Sequence, residues 1–256
     1  MSEPIRIFIG TSANNEDSDA EMVLEYSLRK NSSRELMITW MRQTHDESSI
    51  WGGWQTQRWS TPFSGFRWAI PEACGFSGRA IYMDVDQVNL RDIADLYNTP
   101  LQGRPCAARP GVRFGGHEFC VMLIDCAAMG EILVPVSRMK PNPDAHHRYI
   151  AMFSGNPDYV LNLDARWNCH DGDNDLVAGG RPLDDIWHLH YTKMATQPWK
   201  PVWFKGKAEE HPRKDLTEFW FKMRDEALAN GKVPLVRNDT FGEYNIRSEE
   251  HTSELQ

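Results

Sequence analysis

The chain has little of what a disulfide scaffold, a zinc module or a nucleic-acid binder needs. Its five cysteines, Cys74, Cys106, Cys120, Cys126 and Cys169, are odd in number and hold no Cys-x-x-Cys pair. Neither a disulfide framework nor a zinc ribbon is indicated. Basic residues are not in excess: 28 Lys and Arg against 36 Asp and Glu give a formal charge of -8. That balance excludes a broad electrostatic footprint for nucleic acid. The opening, MSEPIRIFIG, lacks the basic region and long apolar stretch of a signal peptide. The longest apolar run, Cys120 to Val136, is broken by Asp125 and Glu131 and is too polar for a transmembrane segment. No internal repeat is visible. The expectation is a cytoplasmic protein with reduced thiols.

What is present suits an enzyme-sized globular domain. The 256 residues, 41% hydrophobic and 25% charged, suffice for one sizeable α/β core. Ten tryptophans could stack on sugar rings, although most tryptophans in any fold serve the core. The last ten residues, Arg247 to Gln256 (RSEEHTSELQ), resemble a translated sequencing adapter. They are expected to be foreign, disordered and packed against nothing, and they are left out of the fold reading.

Ile5 to Ile9 is a compact β-rich run that ends in Gly10, Thr11 and Ser12. Asp17 to Asp19 offers caps for a helix with apolar positions at Ala20, Val23, Leu24 and Leu28, and Leu36 to Met41 reads as a second strand. Strand, helix, strand is the start of an α/β sheet with its ligand edge at the strand C-termini. Residues 43–62 read as a Trp-rich loop. Phe63 to Cys74 reads as a helix disturbed by Pro71, Leu90 to Leu96 as a short helix, and Cys120 to Asp125 as a buried strand. Pro141 to His147 reads as a connection, Cys169 to Asp175 as a polar loop, and Leu216 to Ala229 as a late helix.

The chemistry centres on Arg79-Ala-Ile-Tyr-Met83, an apolar strand running directly into Asp84-Val85-Asp86. In an extended chain residues i and i+2 point the same way, so both carboxylates are expected to converge. Two close carboxylates repel unless a cation sits between them, and hard oxygen ligands suit Mg²⁺ or Mn²⁺ bridging a diphosphate. An isolated D-x-D triplet is more often a turn or a helix cap. The buried strand before this one favours a site. Alternation in Trp187-His-Leu-His-Tyr-Thr192 puts His188 and His190 on one face, and a neutral imidazole there could complete such a coordination sphere. A structural histidine is the commoner role, and spacing alone does not join His190 to the aspartates.

Taken together, Phe66 to Gly75 and Arg79 to Tyr97 resemble the core signature of family 8-type retaining glycosyltransferases. In that signature a helix Arg precedes a strand, D-x-D and a DIxxL segment. CVMLIDC (Cys120 to Cys126), LNLDARWNCHD (Leu161 to Asp171) and HYTKMATQPWKP (His190 to Pro201) follow in the family's order. The resemblance implies a GT-A fold, Rossmann-like, with a mixed, mainly parallel sheet flanked by helices. It implies a transferase domain over residues 1–203 and a charged helical extension over 204–246 that is cut short; the segment expected to be foreign, 247–256, follows. It implies transfer from a UDP-linked or other nucleotide-sugar donor to a glycan, a lipid-linked sugar or another hydroxyl acceptor. By the same resemblance Asp84, Asp86 and His190 hold Mn²⁺ or Mg²⁺. Thr11, Ser12, Arg67, Asp84, Val85 and Lys193 bind the donor, and Arg67, Asp125 and Asn168 line the reacting centre. The stretch His147 to Tyr159 lacks the family's Asp-Gln-Asp triplet, and the closing motif lacks its usual Gly, which marks a divergent bacterial or phage-like branch. A nucleotidyltransferase that makes nucleotide-sugars is the alternative enzyme, but the loop GTSANNEDSD has one Gly and no basic residue. A non-catalytic sugar-binding homologue would have no need of a diphosphate metal site.

Overall fold

The computed structural model describes residues 3–111, 115–172, 180–199 and 207–241, so the segment Arg247 to Gln256 lies outside the described residues. The chain opens with β1 (Ile5–Gly10), α1 (Ser18–Lys30) and β2 (Leu36–Met41), as the apolar periods predict. A 3-10 turn over Ser64–Ala69 leads into α2 (Ile70–Ala73), then β3 (Arg79–Asp84), β4 (Gln87–Asn89) and α3 (Ile93–Tyr97). Next come β5 (Cys106–Pro110), β6 (His117–Asp125), α4 (Cys126–Gly130), α5 (Val136–Met139) and α6 (Ala145–Phe153). The described chain closes with β7 (Val160–Asn162), β8 (Cys169–His170), β9 (His188–His190) and α7 (Lys214–Ala229).

Six strands form one sheet in the order β2-β1-β3-β6-β5-β7, and β4, β9 and β8 form a small second sheet. In the large sheet the β1–β2, β1–β3 and β5–β7 pairs are parallel, while β3–β6 and β5–β6 are antiparallel. This is the mixed, mainly parallel α/β sheet expected. Strand alternation splits its two faces cleanly. Phe8, Ala80, Tyr82 and Met122 enter one core with Trp68 and Phe153, whereas Ile5, Ile7, Ile9, Ile81 and Met83 enter the other with Leu24 and Leu28. A third cluster joins α1, β9 and α7 through Val23, Leu189, Tyr191 and Trp220. Beyond α7 the chain returns to the loop after β1. There Arg237 pairs with Glu21 at 2.8 Å, its backbone N–H donates to Asn15, and Phe241 stacks on His45. Among the described residues no helix is long and apolar enough to cross a membrane.

The helix expected over Phe63 to Cys74 is the 3-10 turn followed by one α turn. Pro71 is admitted because it sits in the first turn of α2, where its missing N–H costs nothing. The expected helix from Leu90 starts instead at Ile93, because Asp92 caps it by accepting from the Ala94 N–H. The connection placed over Pro141 to His147 is shorter, since α6 begins at Ala145.

Candidate functional site

β1 and β3 are parallel neighbours that end together, with Gly10 beside Asp84, so both deliver chain to the same sheet edge. Gly10 is there for space: a Cβ would meet the Phe63 ring at 2.5 Å and the Tyr82 hydroxyl at 3.0 Å. Asp84 is 2% exposed. Its Oδ1 accepts the Tyr82 hydroxyl and faces Arg67 Nη2 at 3.7 Å. Burial raises the Asp84 carboxyl above its ordinary range; Arg67 opposes that rise and Asp86 adds to it. Arg67, from the 3-10 turn, lies 4.5 Å over the Tyr82 ring and donates to the carbonyls of Ser64 and Phe119 at 2.8 and 2.7 Å.

The strand ends at Asp84, and the chain bends through Val85 and Asp86 before β4. The two carboxylates therefore come near each other through a turn, not through the strand alternation expected. Val85 is buried and anchored by its N–H to the Gly10 carbonyl at 3.0 Å. The partner for Asp86 comes from far along the chain. Antiparallel pairing of β4 with β9 sets Gln87 opposite His190, and Tyr191 N–H donates to the Asp86 carbonyl at 2.9 Å. His190 Nε2 consequently lies 3.2 Å from Asp86 Oδ1, with both groups buried. Asn168 Oδ1 contacts His190 Nδ1 at 3.1 Å. An amide oxygen only accepts, so Nδ1 is the donor in that contact and Nε2 is the ring nitrogen that faces the carboxylate. Gln197, in the closing motif, donates to Asp86 Oδ2 at 3.2 Å.

Nε2 and a carboxylate oxygen at 3.2 Å are joined either by a proton on Nε2 or by a shared cation. Two ligands of one ion, at about 2.1 Å and at right angles, stand about 3 Å apart, so the Asp86–His190 spacing fits a shared metal. Asp84, Cys120 and His190 also place one ligand atom each within 4.8 Å of one another. Asp86 meets His190 but stands outside that three-residue group, whose carboxylate, thiol and imidazole donors fit a divalent ion.

Thr11 and Ser12 follow β1 into the same edge. Thr11 donates to Glu21 Oε1 at 2.6 Å, and the Ser12 N–H donates to Asp17 Oδ2 at 3.2 Å. Asp17 thus binds back into the loop and does not cap α1 with its side chain. Burial, its largest influence, pushes the Asp17 carboxyl up to about 7, and the charges of Asp86 and Glu21 add to the rise against the Ser12 hydrogen bonds.

One expected residue stands elsewhere. Asp125 is opposite Arg79 in the antiparallel β3–β6 register, at the far end of the strand from Asp84, and it caps α4 by accepting from Ala127 and Ala128. It does not line the cleft. Lys193 is exposed and pairs with Glu209. Behind His190 lies a layer that the motifs did not reveal. The His170 ring packs edge-on against His190 at 5.2 Å, Glu118 reaches His170 Nε2 at 3.1 Å and Arg109 Nε at 3.4 Å, and Arg109 donates to the Asn168 carbonyl at 2.5 Å. Arg109 lies in β5 and Glu118 just ahead of Cys120, both outside the runs that the sequence marks as strands, and no motif signals them.

No family model and no curated protein matches this sequence. Solved structures do match in fold. The galactosyltransferase LgtC, in complex with donor and acceptor sugar analogues, matches with a TM-score of 0.58 at 12% identity, over 87% of this chain and 96% of its own. The apo form of GlyE, a glycosyltransferase of Streptococcus pneumoniae, matches with a TM-score of 0.57 at 16% identity, over 91% of this chain and 65% of its own. The bifunctional glycosyltransferase WbbM, also in its apo form, matches with a TM-score of 0.58 at 13% identity over 90% of this chain, which spans 50% of WbbM. At such identities the likeness is one of fold. The chain has the GT-A fold that the family 8 resemblance implied.

Proposed function

We propose that this chain is a metal-dependent glycosyltransferase that moves a sugar from a UDP-linked donor to a hydroxyl acceptor with retention, in the cytoplasm. One observation carries the reading: His190 meets Asp86 at the sheet edge where β1 and β3 end. Asp84, Asp86 and His190 would hold Mn²⁺ or Mg²⁺, which when bound supplies positive charge to a departing diphosphate. Asn168 holds the His190 ring in the tautomer that a ligand needs. Arg67 fixes Asp84, and the loop Thr11–Ser12 offers buried hydroxyls at the edge where a nucleotide would lie. In the proposed step the acceptor oxygen attacks the anomeric carbon from the face that the diphosphate leaves. The acceptor's proton passes to the departing phosphate oxygen, so no protein nucleophile is required.

The test is a panel of nucleotide-sugars with Mn²⁺, scored for slow donor hydrolysis. Release of free nucleoside diphosphate that stops on chelation supports transfer chemistry. Pyrophosphate-dependent formation of nucleoside triphosphate would point to the nucleotidyltransferase instead. Donor binding without any release would leave a sugar-binding protein.

A further inference from the structure

Asp84 is the last residue of β3, and Met83 pairs with Val121 across the antiparallel β3–β6 ladder. Asp84 and Cys120 are the next residues outward on their strands, one step beyond the last paired positions. The sulfur, an Asp84 oxygen and a His190 nitrogen all lie within 4.8 Å of one another, and all three residues are buried. The backbone around Cys120 is fixed from two sides: Arg67 holds the Phe119 carbonyl at 2.7 Å, and Gln87 holds the Cys120 carbonyl at 3.1 Å. Gln87 is also the register partner of His190, so one side chain ties the strand bearing the sulfur to the ladder bearing the imidazole. Cys106, by contrast, sits in the apolar core, where burial pushes its thiol up.

We propose that Cys120 is itself a metal ligand, its thiolate joining Asp84 and His190 so that the site prefers a thiophilic divalent ion of the zinc or cobalt class over Mg²⁺. The proposal rests on reading this edge as a metal centre. A set of oxygen ligands suits Mg²⁺, whereas a thiolate added to imidazole and carboxylate suits softer ions. On coordination a sulfur–metal bond forms, and the S–H proton passes to the buffer.

The measurement is titration of the metal-stripped protein with Co²⁺, read in the near-ultraviolet for thiolate-to-cobalt charge transfer. The wild type should develop that band, Cys74→Ser should keep it, and Cys120→Ser should lose it. Zn²⁺ affinity should fall by about 100-fold in Cys120→Ser, with a smaller change for Mn²⁺. Should Cys120→Ser fail to fold, the wild type still decides, because bound Zn²⁺ should protect Cys120 from alkylation in peptide mapping. Cobalt bound without the band, or Cys120 alkylated equally with and without Zn²⁺, would falsify the thiolate ligand. The transferase reading fails separately: the band with no donor turned over keeps the ligand and rejects the enzyme.

Discussion

Arg67 approaches Asp84 to 3.7 Å in a pocket where each side chain is 2% exposed. Removing one partner of a buried ion pair strands the other charge, at a cost of about 3–5 kcal/mol. Arg67→Met should therefore lower stability to that extent. If Asp84 also faces a metal, Mn²⁺ should restore part of the loss in Arg67→Met while adding less to the wild type. Thermal unfolding with and without Mn²⁺ checks this, and equal gains in both proteins would count against a shared site.

Asp86→Asn should leave the fold intact and lower metal-dependent kcat/KM by about a hundredfold or more, about 3 kcal/mol of transition-state stabilisation. Near-normal turnover at saturating Mn²⁺ would remove Asp86 from the metal set. His190→Ala should weaken metal-dependent donor binding more than it weakens stability. Asn168→Leu should act through the ring, lowering metal affinity by about tenfold with the fold retained. Calorimetric titration of each variant with Mn²⁺ separates ligand from support.

Much of this site could be read from the sequence, and the misses have physical causes. Asp84 was legible because a buried strand ending in a carboxylate is an unusual expense in desolvation. His190 was joined to the aspartates only by family resemblance, since a period-2 pattern places a residue on a face without saying which strand lies beside it. Asp125 was misplaced for a related reason. Cys120 to Asp125 is legible as a strand, but its antiparallel direction is not, and direction decides which end meets the ligand edge. β5 carries weak strand signals, because Pro105 precedes it, Pro110 ends it and Arg109 interrupts it, all of which argue against a central strand.

Asp125→Ala should cost about 1 kcal/mol of stability through the lost cap of α4, with donor turnover unchanged. Urea unfolding measures the first effect and the hydrolysis panel the second. A large loss of activity without loss of stability would return Asp125 to the reacting centre.

Asp17 gives the metal-free protein a pH signature. Its folded carboxyl titrates at about 7 against an ordinary 3.8. Between these values the folded state holds a proton that the unfolded chain releases, so its contribution is complete below about 4 and is lost as pH rises through about 7. Asp17→Asn should flatten that decline. Urea midpoints at pH 5 and pH 8 in chelator, compared between wild type and variant, should show a smaller difference in the variant; equal differences would reject the assignment.

The six strands of the main sheet are complete by Asn162, whereas the imidazole that meets Asp86 arrives at His190 and the arginine that seals Glu21 at Arg237. On the ribosome, then, the scaffold can be finished while the aspartates still await their partners. Chain folding from the N-terminus builds the frame first and the cleft last. On the function proposed above, competence for chemistry would come only once the small sheet has brought His190 to Asp86.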